Sequence, residues 1–371
     1  MNDAIPSEMR ALVLPAPGKF EIQTVPVPMP HGDEALCRVR AVAICGSDPE
    51  ILRGDLAGVW PPAYPFIPGH EWSGEVAAVG PEVTKLQVGD RVAGQAHRGC
   101  GVCSNCLAGR YTLCENYGKP ESGHRHYGFI TFGAYAQYAV YSQKSIDRMP
   151  DSVSFRSGAL VDTAGVALHG LELIGVTPGG CLAVIGPGPI GLLAMRLGRA
   201  LGAGKIIAVG RGARLQAARR SGADVLVEFE KEDPVTAVRT ASGGRGADEA
   251  LECSGAPGAF RQAVEMVKKG GRVALLGVPP GHILEPLPFK YIVHNEIMIS
   301  GVRANPNVSA KILSMVAAGR LTLEDLVTHT FPLEDFAQAL DTFVNRRQGA
   351  IKVVIEPNGA EGAPPNAGFG R

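Results

Sequence analysis

The chain has 371 residues, of which 45% are hydrophobic and 19% charged; this is a soluble globular composition, too long for one hydrophobic core, so two domains are expected. Its 36 basic and 36 acidic residues cancel, leaving no long-range field to gather nucleic acid or an anionic membrane, so the partner expected is a small molecule. No apolar run reaches the ~20 residues of a spanning helix, and Met1–Arg10 lacks the basic-then-apolar order of a leader, so a cytoplasmic location with reduced cysteines is expected.

Residues 1–155 are rich in Gly and Pro with short β-branched runs, Ala35–Ile44, Ser73–Val79 and Ala134–Val140, which predicts an irregular, mostly antiparallel β domain. Within it, Ala43-Ile-Cys45-Gly-Ser47-Asp48 offers a thiol, and Pro68-Gly-His70-Glu71 an imidazole and a carboxylate. A lone cysteine is most often only a small apolar residue. The run Cys100-x2-Cys103-x2-Cys106-x7-Cys114 carries more information. Four thiolates on one loop close a tetrahedral zinc site with no open position, which is a structural arrangement. The bacterial iron–sulfur run has three residues before its last cysteine and a proline after it; here seven residues intervene and Glu115 follows.

From residue 156 to about 300 the texture is α/β. Apolar strands Cys181–Ile185, Lys205–Val209, Val225–Glu228, Ala250–Cys253 and Arg272–Leu276 alternate with helix-length stretches such as Ile190–Leu201 and Phe260–Lys269, predicting βαβ units and a doubly wound parallel sheet. Leu160-Val-Asp162 places another carboxylate near the start of this segment. The first strand runs into Gly186-Pro-Gly188-Pro189-Ile190-Gly191 and then a helix. There the glycines permit a tight turn and close approach of a pyrophosphate to a helix N-terminus, the dinucleotide-binding fingerprint. An NAD-binding version carries Asp or Glu about 20 residues on. This chain has Gly210-Arg211-Gly212-Ala213-Arg214, with no local carboxylate to repel a 2′-phosphate and two guanidiniums to pair with one. NADP is therefore expected over NAD, unless Arg211 and Arg214 are merely solvated residues at a helix start. Residues 301–356 are expected to return to the first domain through one or two amphipathic helices and the strand Ala350–Ile355. Residues 357–371, rich in Gly, Pro, Ala and Asn, read as a flexible tail.

Together the Cys45, His70-Glu71 and Asp162 segments, the four-cysteine loop and the glycine fingerprint resemble the zinc-containing medium-chain dehydrogenase/reductase family over about Met9 to Pro357. That family includes alcohol, sorbitol, threonine and butanediol dehydrogenases. The resemblance implies a GroES-like β-rich catalytic domain interrupted by a Rossmann domain, and hydride transfer between a small alcohol or polyol and a nicotinamide dinucleotide. It also implies a homodimer or homotetramer and two zinc ions per chain, the catalytic one held by Cys45, His70 and Asp162, with Glu71 able to ligate or support it. Asp162 stands where the alcohol branch has cysteine and resembles the acidic ligand of the polyol and threonine branches. Ser47 matches the hydroxyl that bonds the substrate oxygen. Many relatives continue the proton path through a histidine three residues later; Glu50 stands there, so either its carboxylate or water and the cofactor ribose carry the proton. By the same resemblance Cys253 and the Gly277-Val278 turn pass beside the nicotinamide, and Arg303 faces the cofactor, whereas His169 reads as a core or interface histidine.

Two other readings compete. One is the zinc-free quinone or enone reductase branch of the same superfamily, which lacks the ligands at Cys45, His70 and Asp162. The other is a zinc-stabilised, non-enzymatic binding module, against which the neutral charge and the full ligand set argue.

Overall fold

A computed structural model describes residues 5–279, 286 and 288–359; residues 360–371, most of the expected tail, lie outside that description. The chain divides into two compact units, Met1–Asp162 with Ser309–Arg371, and Thr163–Val308. Both divisions fall later than the expected 155/156 and 300/301, for identifiable reasons. The short helix Phe155–Ala159 packs on the strands Glu34–Ala43 and Glu71–Val79 of the first unit, where Ser73 Oγ donates to the Phe155 carbonyl. Past residue 300, the Val302 amide donates to the Leu275 carbonyl at 3.0 Å and Asn305 packs on Gly165, so the chain leaves the second unit only after Val308.

The first unit is built on a seven-stranded sheet. Its strands run Val327–Pro332, Lys352–Glu356, Glu34–Ala43, Glu71–Val79, Arg91–Gly94 and Ile146–Arg148, with Tyr138–Ser142 pairing Glu34–Ala43 off that path. Trp72, Tyr127, Tyr135, Tyr141 and Phe336 fill its core. The C-terminal strand is fixed in register by Val354 opposite Ala43 and Ile355 opposite Val42. The Ile44 amide then donates to the Val353 carbonyl at 2.9 Å, which sets Lys352 next to the Cys45 loop. The run predicted as a strand over Ala134–Val140 is one only from Tyr138. Ahead of it, Gly133, Ala134 and Tyr135 donate to the carbonyls of Ile67, Gly69 and Pro68 at 2.7, 2.9 and 3.0 Å. Gly69 has φ +96°, and a Cβ there would stand 2.8 Å from the Tyr135 ring, so only glycine lets this loop close on the residue before His70.

The second unit is a six-stranded parallel sheet ordered Val225–Glu228, Lys205–Gly210, Cys181–Ile185, Ala247–Glu252, Val267–Leu275 and Met298–Gly301. By position in the chain that order is 3-2-1-4-5-6, whose reversal between the first and fourth strands opens a crevice at their carboxyl ends. All five residues of Cys181–Ile185 are buried, as a strand covered on both faces must be. The helix predicted over Phe260–Lys269 stops at Met266. Val267 already pairs with Ala247 across the sheet, and Gly270-Gly271 beyond it lacks helix propensity. Among the described residues no helix is long and apolar enough to cross a membrane.

Candidate active site

In the first unit, Cys45, His70 and Glu71 come together although they lie on separate segments: one ligand atom from each falls within 4.8 Å of the others. Cys45 ends the loop after Glu34–Ala43, and His70-Glu71 opens the neighbouring strand, which pairs Glu71 with Ala43. His70 and Glu71 are only 4% and 2% exposed. Behind them sits Asp48, fully buried, whose Oδ2 accepts from the Cys45 amide at 2.8 Å and the Tyr135 hydroxyl at 2.7 Å. Its Oδ1 lies 3.8 Å from His70 Nδ1. On the far side Lys352 Nζ, also buried, pairs with the Glu71 carboxylate and donates to the Ile44 carbonyl at 3.2 Å. Locally Asp48 is only a neighbour of Cys45, and nothing in the sequence marks Tyr135 or Lys352, because contacts across 87 and 281 residues of chain bring them in.

Burial alone would lower the His70 imidazolium, but the Cys45, Asp48 and Glu71 groups around it outweigh burial and push it up to about 10. Two buried carboxylates and a thiol surround His70, with one buried lysine behind them, so the pocket favours a cation. A thiolate and an imidazole within reach of each other, backed by a carboxylate, are the donors zinc prefers. The donor set therefore fits zinc.

Asp162 is buried at the start of the helix Val161–Ile174 and is not among the atoms gathered within 4.8 Å. Ser47 caps the short helix Asp48–Arg53 without bonding its backbone, and its Oγ is buried with no hydrogen-bond partner. Glu50 lies half-buried in the first turn of that helix. His169 is half-buried on Val161–Ile174.

The four-cysteine loop forms a second cluster, all four sulfurs within 4.8 Å of one another. The Cys100–Cys106 and Cys103–Cys114 sulfurs are 3.9 Å apart, close to the roughly 3.8 Å edge of a tetrahedron with zinc–sulfur bonds of about 2.3 Å. Amides of Val102 and Cys103 and the Asn116 side chain point at Cys100 Sγ at 3.5, 3.4 and 3.4 Å. Those bonds, led by the Val102 amide, pull the Cys100 thiol down to about 6, as thiolate ligation requires.

The second unit carries the glycine turn. Gly186 has φ +87°, and a Cβ there would meet Ser254 at 2.7 Å. At Gly188 a Cβ would meet nothing nearer than Arg214, at 3.8 Å, leaving that side open to a ligand. Gly188 caps the helix Pro189–Ala200 without a side-chain bond, and Pro189 takes its first position, so amides of Ile190 and Gly191 are presented at a helix N-terminus. Across the crevice, Glu252 is buried and accepts from the Ser254 and Gly255 amides at 2.7 and 3.0 Å. It thereby shapes the turn that follows Cys253, while Gly277 donates to the Glu252 carbonyl at 3.0 Å and Val278 is 87% exposed. Arg303 lies half-buried past the last strand.

At the second strand a Cβ on Gly210 would stand 2.4 Å from Pro187, so glycine lets that strand end pack on the glycine turn. One reading there needs correction: the surroundings do hold a carboxylate, since Glu230, arriving from beyond the third strand, pairs with Arg211 at 2.6 Å. A position 19 residues downstream is invisible to a local motif.

Residues 31–151 match the alcohol dehydrogenase GroES-like domain, and residues 189–318 match the zinc-binding dehydrogenase domain. The chain is 34% identical over 362 residues to sorbitol dehydrogenase of Bacillus subtilis (strain 168), covering 96% of this chain and 100% of that protein. It is 33% identical over 355 residues to L-threonine 3-dehydrogenase of the same organism, covering 94% and 99%. A Sinorhizobium meliloti 1021 protein assigned as a zinc-binding dehydrogenase, solved bound to NADP, superposes with a TM-score of 0.85 at 31% identity, covering 95% of this chain and 100% of that one. With both domains matched and the relatives covered end to end, the chain belongs to the zinc-containing medium-chain dehydrogenase/reductase family, as an oxidoreductase of the alcohol and polyol dehydrogenase type.

Proposed function

We propose that this chain interconverts a small alcohol, polyol or amino alcohol and its carbonyl product with NADP, using one zinc held by Cys45, His70 and Asp162, with Glu71 able to ligate or support it, and another closed by Cys100, Cys103, Cys106 and Cys114. The observation that carries the reading is the buried, acid-rich Cys45–His70–Glu71 cluster two residues from a buried hydroxyl without a partner. Zinc bound there would supply Lewis acidity, making a substrate hydroxyl far more acidic, as it brings bound water down to about 7. Ser47 Oγ accepts a hydrogen bond from the substrate hydroxyl and relays its proton, giving up its own hydroxyl proton as it takes the substrate's. Glu50, three residues on and so on the same helix face, passes it to solvent, with water and the cofactor ribose as the other route. Asp48 holds the Cys45 amide and faces His70, orienting both donors.

Arg214 beside the glycine turn, with Arg211 next to it, supports NADP. Replacing both by leucine should lower kcat/KM for NADP and leave that for NAD unchanged. Charge-assisted bonds contribute about 1.5 to 3 kcal/mol, or roughly ten- to a hundredfold, and exposure and salt bring the effect toward the lower figure. A parent that already prefers NAD would overturn the assignment.

Self-association fits the edge position of Met298–Gly301 and the exposure of Phe289, Val293 and Met298 at 72%, 58% and 56%, which a second copy would cover. A cytoplasmic location fits eight cysteines without a disulfide among them. Assaying open-chain polyols, secondary and cyclic alcohols, amino alcohols and their ketones with each cofactor, by absorbance of the reduced nicotinamide, tests the activity. Turnover of enones alone would favour the reductase reading.

A further inference from the structure

We propose that Glu230 is a specificity-determining residue that works against NADP: it occupies the Arg211 guanidinium, which a 2′-phosphate must take from it and which NAD does not need. The inference rests on the reading of Arg211 as a partner of that phosphate. The sheet itself brings the two side chains together. Gly210 lies opposite Glu228 at the carboxyl ends of the second and third strands, and the Phe229 amide donates to the Gly210 carbonyl at 3.3 Å, so residues 229 and 230 run beside 210 and 211. The Lys231 and Glu232 amides then turn back to the Glu228 carbonyl at 2.9 and 3.3 Å. At that turn Arg211 Nη1 donates to Glu230 Oε1 at 2.6 Å, and the guanidinium stands 5.7 Å from the centre of the Phe229 ring, within cation–π range. The other acids of this run are placed differently: Glu228 pairs with Lys231 at 2.7 Å, Asp233 caps the helix Pro234–Ala241 through the Thr236 amide, and Glu232 is exposed. The Arg211 and Glu230 side chains are 58% and 48% exposed. An exposed ion pair adds little to stability, so this one matters through its charge. A phosphate monoester carries about −1.5 to −2 charges at neutral pH. To bond Arg211 it must displace the carboxylate or stand beside it. The first loses a charge-assisted bond and the second sets like charges together, and both disfavour binding. The 2′-hydroxyl of NAD is neutral and meets neither cost, so the pair narrows the gap between the two cofactors.

The test is equilibrium binding of NADPH and of NADH to the full-length protein, followed by fluorescence of the reduced nicotinamide. Glu230→Gln should tighten NADPH by about three- to tenfold, the scale of an exposed charge pair acting on a nearly doubly charged group, and leave NADH within about twofold. Glu232→Gln removes the same charge from the same turn without touching Arg211, and should leave both cofactors within about twofold. Arg211→Leu should weaken NADPH and spare NADH. Unchanged or weaker NADPH binding in Glu230→Gln would overturn the proposal, and so would tightening of both cofactors alike, or the same tightening of NADPH in Glu232→Gln. All three side chains are exposed, so the parental melting temperature should be kept throughout. If Arg211→Leu binds NADPH as the parent does, Arg211 does not meet the 2′-phosphate, and the proposal fails with that reading. If it weakens NADPH while Glu230→Gln does not tighten it, the proposal alone fails.

Discussion

Cys45→Ala should leave one zinc per chain and lower kcat/KM by about a thousandfold or more. Lewis-acid stabilisation of a developing alkoxide is worth several kcal/mol, and each 1.36 kcal/mol is a factor of ten in rate, so a loss of about 4 kcal/mol reaches that figure. The substitution removes only the sulfur. The bond from the residue 45 amide to Asp48 Oδ2 belongs to the backbone and survives, so the buried aspartate keeps its partners. Fluorescence and sizing should match the parent while metal analysis and kinetics differ. Two zincs per chain with activity within about tenfold of the parent would remove Cys45 from the metal site, because a ligand cannot be lost at that little cost.

The parts of this molecule legible in sequence are those whose chemistry is written along one stretch of chain. The glycine turn follows its strand directly, and the four cysteines share one loop whose sulfurs sit 3.9 Å apart in pairs. Even the strands Cys181–Ile185 and Val225–Glu228 are placed to the residue, since buried parallel strands read as continuous apolar runs. What was not legible depends on pairing between distant strands. Lys352 falls inside the expected strand Ala350–Ile355 with nothing local to mark it; only the register of that strand against Glu34–Ala43 carries it to Glu71. Glu230 lies past the third strand, and the order of the sheet brings it to Arg211. Tyr135 falls in a run with strand character, and nothing local says that Gly133 to Tyr135 will bond to Ile67–Gly69 instead.

The four-cysteine loop should behave as a metal staple, and Cys103→Ser should show it. The loop has little apolar material to bury: Val102, Leu107 and Leu113 are 73%, 75% and 48% exposed. Its order comes from short helical turns at Ser104–Leu107 and Tyr111–Leu113 and from the sulfur cluster they surround. Without metal the sulfurs are held unequally, since amide bonds draw Cys100 down to about 6 while burial drives Cys106 up to about 12. Structural zinc contributes about 10 to 16 kcal/mol in isolated finger peptides. Here the loop is tethered to a folded sheet, so local opening takes up much of that. If about 3 to 5 kcal/mol reaches unfolding of the unit, Tm falls by about 6 to 20 °C at 2 to 4 °C per kcal/mol for a unit of this size. Trypsin supplies an independent reading, because Arg110 is exposed on the loop. Cleavage there should be slow in the zinc-loaded parent and fast in Cys103→Ser or after chelation. A variant as heat-stable and as trypsin-resistant as the parent would mean that the thiols order the loop without metal.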